Sequence, residues 1–239
     1  MAKKSSNRLK NLFSKLWRFL VQIFVIGFQF TFLFIIFYRV IPVPLTPLHI
    51  ERLIEQSFSE RPLKLSKSWK SIDYVSDKFC LAVMTSEDIK FIHHYGFDFE
   101  QIQNSIEHAF KKGKKLRGAS TITQQTAKNL FFTPNRSWIR KVPEVFITVC
   151  LEMLWTKKRI LEVYINIIEM GEGIYGVEAA SQFYFHKSSS NLTSRESALI
   201  ASCLPNPRKW TPDRPTSFIN RKAGIVQHYM PYIDGLPWR

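Results

Sequence analysis

The pattern of apolar and polar positions divides the chain into an uncharged N-terminal run and a longer region with helical periodicity. Phe19 to Tyr38 continues for 20 residues without a charge, ending at Arg39. At about 1.5 Å rise per residue, such a helix crosses a hydrocarbon layer of about 30 Å. Gln22, Gln29 and Thr31 weaken its hydropathy without breaking it. Val40 to Pro47 contains Pro42, Pro44 and Pro47 and predicts a stiff, extended linker. Residues 49–78 are polar and predict partial helix. Phe79 to Met84 is an apolar run suited to a buried helix face, and from Phe97 to Phe110 apolar residues recur at helical spacing.

Thr121 with Gln124 fits a capping box and predicts a helix start. Arg140 to Glu144 is expected to open a helix over 145–155, with Pro143 in its first turn. Thr156 caps a predicted helix over 157–168, whose apolar stripe is Ile160, Leu161, Tyr164, Ile165 and Ile168. Glu162 and Asn166, four apart, share a face of it. Gly171-x-Gly173-x-x-Gly176 formally matches a dinucleotide-binding fingerprint, but a helix precedes it and no βαβ alternation surrounds it. A tight loop leading into a helix over 177–184 fits better. A second capping box, Thr193 with Glu196, opens a helix over 197–204, and the prolines from Pro205 to Pro212 break it. Strand patterns are few, so the fold class is mainly α.

Charge and composition narrow the class. Thirty-four Lys and Arg against 19 Asp and Glu give a net charge of +15. That implies an anionic partner: nucleic acid, lipid head groups or a phosphorylated substrate. Before the apolar run, Lys3, Lys4, Arg8, Lys10, Lys15 and Arg18 occur with no acid. The positive-inside rule therefore keeps the tail cytoplasmic and puts Arg39 onward outside. The bulky sequence after Arg39 offers no small-x-small cleavage site, which favours an uncleaved anchor over a signal peptide. A domain outside the cytoplasm disfavours nucleic acid, and the basic loop from Lys111 to Arg117 suits anionic lipid or pyrophosphate instead. Cys80, Cys150 and Cys203 lie in apolar stretches and read as buried thiols.

Candidate chemistry begins where the run from Phe79 ends, at Glu87 and Asp88. Taken alone, two acids there read as a solvated helix end. A carboxylate held beside buried apolar side chains is instead desolvated, which raises its pKa and suits it to proton transfer near neutral pH. Further on, Ser120, Thr121, Thr123, Gln124 and Gln125 line a helix N-terminus, with Lys128 following. Hydroxyls and free N–H groups at such an end favour an anion, and a cap accounts for only two of these residues.

Together these segments resemble the peptidoglycan glycosyltransferases, the family that polymerises lipid II. The first family motif, Glu-Asp-x-x-Phe-x-x-His-x-Gly-x-Asp, is met by Glu87, Asp88, Phe91, His94, Gly96 and Asp98. Gly118, Ser120, Thr121, Thr123, Gln124 and Gln125 meet the second, with Lys128 and Asn129 after it. Arg140, Lys141 and Glu144 meet the third, and Lys157, Ile160, Glu162, Tyr164 and Asn166 the fourth. The resemblance covers residues 82–212 and is strongest to monofunctional members, since no Ser-x-x-Lys or Lys-Thr-Gly signature occurs. Two departures are His186, where many members have Gly, and Arg159, where members often carry an acid.

The resemblance implies a lysozyme-like helical lobe with a smaller membrane-proximal lobe around residues 100–135, behind one transmembrane helix. The expected division is a basic tail (1–18), the transmembrane helix (19–38), a linker and membrane-proximal region (39–78) and the glycosyltransferase domain (79–239). The implied location is the bacterial inner membrane. The implied reaction joins lipid II units into β-1,4-linked glycan with inversion at the MurNAc anomeric carbon and release of undecaprenyl pyrophosphate. By resemblance Glu87 is the general base, and Glu144 lies at the donor site, where it orders basic partners, holds a divalent ion or assists the leaving group. Asp88, Phe91, His94, Ser120, Thr121, Gln125, Lys128, Asn129, Arg140 and Lys141 are the implied substrate-binding residues. A magnesium or manganese ion at the pyrophosphate is allowed, and no organic cofactor is expected. Partners are lipid II, the growing lipid-linked strand, the bilayer, and cell-wall synthesis or division proteins. A muramidase or lytic transglycosylase, or a non-catalytic cell-wall scaffold, stands as the alternative.

Overall fold

The computed structural model describes residues 2–58, 62–112, 120–133 and 138–239. Contacts divide the chain at residue 41 into two compact units. The first holds α1 (Ala2–Tyr38), within which Asn11–Tyr38 is long and apolar enough to cross a membrane. The second runs from Pro42 to Arg239, so residues 42–78 belong to the same compact body as the motifs.

Ten helices and a small sheet make up the described residues. In the second unit α2 (Pro47–Ser57) begins with Pro47 in its first turn, where its missing N–H costs nothing. The Thr46 N–H donates to Nδ1 of buried His49 at 2.9 Å. The proline-rich segment ahead of it is fastened to the body, because the Lys67 ammonium donates to the carbonyls of Val43 (2.5 Å) and Pro44 (2.6 Å). Lys67 lies in β1 (Ser66–Lys67), which pairs in parallel with β3 (Ile174–Tyr175). On its other side β3 pairs antiparallel with β2 (Glu169–Gly171), completing a three-stranded sheet in the order β1-β3-β2. The loop expected at the glycines is thus the turn of this sheet. Strands of two or three residues are too short to show alternation, so no period-2 signal marks them.

The helices follow the apolar periodicity. α3 (Asp77–Glu87) buries Phe79, Cys80, Ala82, Val83 and Met84, and packs against α9 (Ser194–Cys203) and α10 (Ser217–Tyr229). α4 spans Phe99–Lys112, and α5 (Ile122–Phe131) packs on α6 (Trp138–Leu154) and α7 (Lys157–Ile167). α6 starts earlier than Pro143 suggests, leaving that proline, Arg140, Lys141 and Glu144 inside the helix. The bond Pro143 cannot make would be to the carbonyl four residues back, close to the helix start, so the cost is small. All three cysteines are buried free thiols.

α7 is the central helix, with Ile160, Leu161, Val163, Tyr164, Ile165 and Ile167 inaccessible or nearly so. At about 1.5–3 kcal/mol for each large apolar side chain, that stripe outweighs the cost of carrying Arg159 inward. Arg159 is only 9% exposed, its guanidinium 3.1 Å from Glu162 and 5.3 Å from the Trp69 ring. Asn166 ties the helix to the segment after β1, accepting from the Lys70 N–H and donating to the Lys70 carbonyl, each at 2.8 Å. α8 (Val177–Phe185) starts at Gly176, whose φ of 82° and approach to the Asn166 carbonyl leave no room for a Cβ.

α8 ends on His186, which has φ 54° and ψ 36° and is the sole non-glycine residue with positive φ among those described. This is a left-handed cap, the conformation that makes glycine the preferred residue there. His186→Gly should therefore stabilise the protein by about 0.5–1 kcal/mol. Denaturation midpoints of the two proteins in detergent check this, and an unchanged or lower midpoint for the glycine variant counts against the strain.

Candidate active site

The last residue of α3 is Glu87, and Asp88 is its C-cap. The two side chains part at this point. Asp88 is buried and accepts from the Ile122 N–H at 2.9 Å and from His94 Nε2 at 2.9 and 3.0 Å. One carboxylate thereby joins the end of α3, the following loop and the first residue of α5. Gly96 completes the seam. Its φ is 84°, and a Cβ there would meet Thr148 Cγ2 at 2.8 Å, while its carbonyl accepts the Thr121 hydroxyl at 2.7 Å. Thr121 also receives the Gln124 N–H at 3.2 Å, and the Gln124 side chain accepts from the Thr121 N–H at 3.1 Å. The capping box is present, and the Thr121 hydroxyl is spent on it and on Gly96.

Other motif residues are tied together away from Glu87. Glu152 accepts from Thr123 (2.6 Å) and Lys157 (2.7 Å), and the Lys157 ammonium lies 4.6 Å from the centre of the buried Phe91 ring. Asp88, Phe91, His94 and Thr121 accordingly serve the packing of the loop and helix ends in this structure. Of the expected binding residues, Ser120, Gln125, Lys128, Asn129, Arg140 and Lys141 retain exposed or half-buried side chains. Gly118 and most of the basic loop from Lys111 lie outside the described residues.

Glu87 turns toward α5. Gln125 Nε2 donates to Glu87 Oε2 at 3.0 Å, and Gln125 Oε1 accepts from the hydroxyl of fully buried Tyr164 at 3.1 Å. Burial raises the Glu87 pKa above the usual carboxylate range, opposed by the Gln125 bond, Lys222, Ser86 and Lys128. One turn beyond Gln125 on α5, Lys128 is desolvated by burial, which lowers its pKa, while Glu144 and Glu87 pull it back up. Among the described residues the Lys128 ammonium forms no hydrogen bond or ion pair. From α10, Lys222 is likewise lowered by burial and favoured by Glu87, and its ammonium donates to the Ser202 carbonyl at 3.3 Å.

Beyond Lys128 stands α6. Glu144 is 3% exposed and accepts from Lys141 at 2.5 Å, with Arg140 Nε at 3.8 Å. Arg140 also donates to the Thr133 carbonyl at 2.6 Å. Because Arg140 and Lys141 each lie about one turn before Glu144 on α6, a buried acid stands under two cations. The site thus has a desolvated carboxylate at one end, a cluster of cations at the other, and a half-buried lysine between them. Sequence reasoning missed Lys222 and the link through Tyr164. A helical period at Ile219, Ala223 and Val226 after Thr216 would have revealed α10, but not that its lysine reaches Glu87.

A desolvated carboxylate beside several cations suits an anionic substrate, and the comparisons with known proteins give the class. Residues 55–230 match the family described as Transglycosylase. A biosynthetic peptidoglycan transglycosylase of Bdellovibrio bacteriovorus is 40% identical over 94% of this chain and 90% of its own length. Proteins of the same description from Chromohalobacter salexigens (44% identical, 85% of this chain, 86% of that protein) and Pseudomonas syringae pv. syringae (42%, 82% and 83%) are similar. The chain belongs to the biosynthetic peptidoglycan transglycosylase family, the glycosyltransferases of peptidoglycan synthesis.

If Asp88 is the pin of this seam, Asp88→Ala leaves the Ile122 N–H and His94 without their acceptor. It should cost about 2–3 kcal/mol. Urea or thermal denaturation in detergent reads the loss, and a variant as stable as the parent would show that the seam does not depend on it.

Proposed function

We propose that this protein polymerises lipid II into β-1,4-linked glycan strands, with Glu87 as general base. The single observation that carries the reading is the desolvated Glu87 carboxylate held near half-buried Lys128, whose ammonium forms no hydrogen bond or ion pair among the described residues. An incoming GlcNAc 4-hydroxyl is a poor nucleophile until its proton has an acceptor, and a carboxylate with a raised pKa supplies one. Attack on C1 of the MurNAc at the lipid-linked end forms the new C–O bond as the bond to undecaprenyl pyrophosphate breaks, and the anomeric centre inverts. The same division between a base and an opposite face operates in inverting glycosidases, with water as acceptor.

Negative charge grows on the departing pyrophosphate. Lys128 is the cation we assign to meet it first, because binding an anion restores the solvation that burial took from its ammonium. Arg140 and Lys141 stand next to it, ordered by Glu144, and the Ser120 hydroxyl is the neutral donor. A divalent cation at the pyrophosphate would rest chiefly on the substrate's own phosphate oxygens. Among the described residues no group of three His, Cys, Asp or Glu could hold one, and the Glu144 oxygens face Lys141 and Arg140. The chain's own cations meet the charge whether or not such an ion is present.

The helix within residues 11–38 is the anchor, with the basic tail cytoplasmic and the catalytic unit outside the inner membrane. The apolar side chains of Phe99 and Phe110 on α4 and of Val142, Phe146 and Met153 on α6 are exposed and suit a membrane surface. Confinement to the bilayer brings the enzyme to substrates that keep their lipid tails there.

Purified full-length protein with labelled lipid II in detergent should yield polymer that muramidase degrades. Glu87→Gln should lower the rate by about 10²–10⁴-fold, and Glu144→Gln by less, since Glu144 acts through Lys141 and Arg140. Wild-type activity should also fall as pH drops through the raised Glu87 pKa, because only the ionised carboxylate accepts a proton. A nearly active Glu87→Gln sinks the base assignment. Release of fragments from finished peptidoglycan, without polymer from lipid II, would instead mark a lytic enzyme.

A further inference from the structure

We propose that Tyr164 is a positioning residue, whose buried hydroxyl fixes the orientation of the Gln125 amide and so holds Glu87 ready as a proton-accepting carboxylate. The inference rests on the reading of Glu87 as base.

It follows from counting donors and acceptors. An ionised carboxylate only accepts, so Gln125 must offer its NH₂ to Glu87, and it does so at 3.0 Å. That leaves the Gln125 carbonyl facing α7, where the Tyr164 hydroxyl donates to it at 3.1 Å. Tyr164 is 1% exposed, and among the described residues its hydroxyl makes no other hydrogen bond. A phenol so enclosed must give its proton to Gln125 or leave it unsatisfied. Rotating the amide by half a turn would strip the phenol of its acceptor and aim a carbonyl at Glu87. Only a protonated Glu87 could then bond to Gln125. The hydroxyl therefore selects the amide orientation that suits the ionised acid.

Tyr164 does not itself donate a proton to the reaction. Burial, with Glu87 and Asp88 nearby, raises its pKa well above that of a free phenol. The remaining charged groups around Glu87 leave this role to it. Lys128 on α5 and Lys222 on α10 favour the carboxylate through space, and Lys222 also faces Cys203 of α9. Arg140, Lys141 and Glu144 on α6 reach it by way of Lys128. Asp88 points away to Ile122 and His94. α9 presents a carbonyl, that of Ala201, to Ser86, whose hydroxyl lies 3.4 Å from Glu87 Oε1. None of these groups orients the Gln125 amide, and the one other contact to it, from Gln125 Nε2 to the Ser120 carbonyl, is long at 3.5 Å.

The test follows the Glu87 carboxyl directly. Full-length protein labelled with ¹³C-glutamate is titrated in detergent micelles, the Glu87 signal being the one absent from Glu87→Gln. Tyr164→Phe removes one oxygen and keeps the ring. It should raise the Glu87 midpoint and lower polymerisation of lipid II about tenfold on the acid side, as expected for loss of one hydrogen-bond constraint on a charged group. The rate should recover toward wild type as pH rises. In a Gln125→Leu background Tyr164→Phe should move the midpoint no further. If Tyr164→Phe does not fold, Gln125→Leu alone should raise the midpoint. A midpoint unmoved in either single variant overturns the inference, as does a Tyr164→Phe shift that persists undiminished without Gln125. A raised midpoint with an unchanged pH profile of polymerisation would uphold the positioning by Tyr164 and remove Glu87 from the role of base.

Discussion

The site depends on one buried carboxylate that has no part in the proposed chemistry. Asp88 accepts the backbone N–H of Ile122 and the ring N–H of His94, and so pins the N-terminus of α5 against the end of α3. Both helix ends are thereby satisfied in a region closed to water, where an unpaired N–H would cost about 1–3 kcal/mol. Once that register is set, the rest follows from helical geometry. Gln125 comes one turn into α5 and faces Glu87, and Lys128 comes roughly a turn later, toward α6. Adjacent acids in sequence thus take opposite tasks because one caps a neighbouring helix and the other is left facing the cleft.

Burial works on acid and base together here. Glu87 is pushed toward its neutral form, and so are Lys128 and Lys222, yet each lysine and the acid pull one another back toward charge. The cluster is held short of full compensation, since Lys128 has no partner within bonding distance among the described residues. Glu144 differs. Two cations sit on it, and the pairing makes Arg140 and Lys141 a fixed pair and not two mobile side chains. An anionic group arriving at this end meets charge that is already oriented, so little reorganisation is needed as its charge grows.

Much of this was legible in the sequence, for reasons that are local. Capping boxes at Thr121 and Thr193, the cap at Thr156 and the apolar stripe of α7 are encoded within a few residues, and the structure has each of them. The motifs singled out Glu87 as base and Gln125 and Lys128 for the opposite face, whereas the structure sets Gln125 directly against Glu87, with Lys128 one turn further on. What could not be read was tertiary. The start of α6 was hidden because Pro143 resembles a first-turn marker, and the three short strands carry too few residues to alternate. Phe91, His94 and Thr121 belong to the motifs, but whether a motif residue touches substrate or packs a seam depends on partners far along the chain: Lys157, Asp88 and Gly96. The departure at His186 was visible as a letter, and its meaning, a left-handed cap, only as a backbone angle.

The fourth motif is the case where this distinction matters most. Its residues lie on α7, behind the cleft, and a helix buried nearly end to end reads as core. Arg159 and Glu162 pair beneath Trp69, and Asn166 holds the segment after β1 at Lys70, which are structural duties. Tyr164 lies on the same helix, but its ring fills the core while its hydroxyl reaches through to the amide that touches Glu87. A phenylalanine would satisfy the packing equally well. The single oxygen is what the core does not require, and its acceptor is a side chain of the site. That makes α7 the rigid back wall against which the acid is oriented, and makes the orientation a property of the fold and not of the substrate.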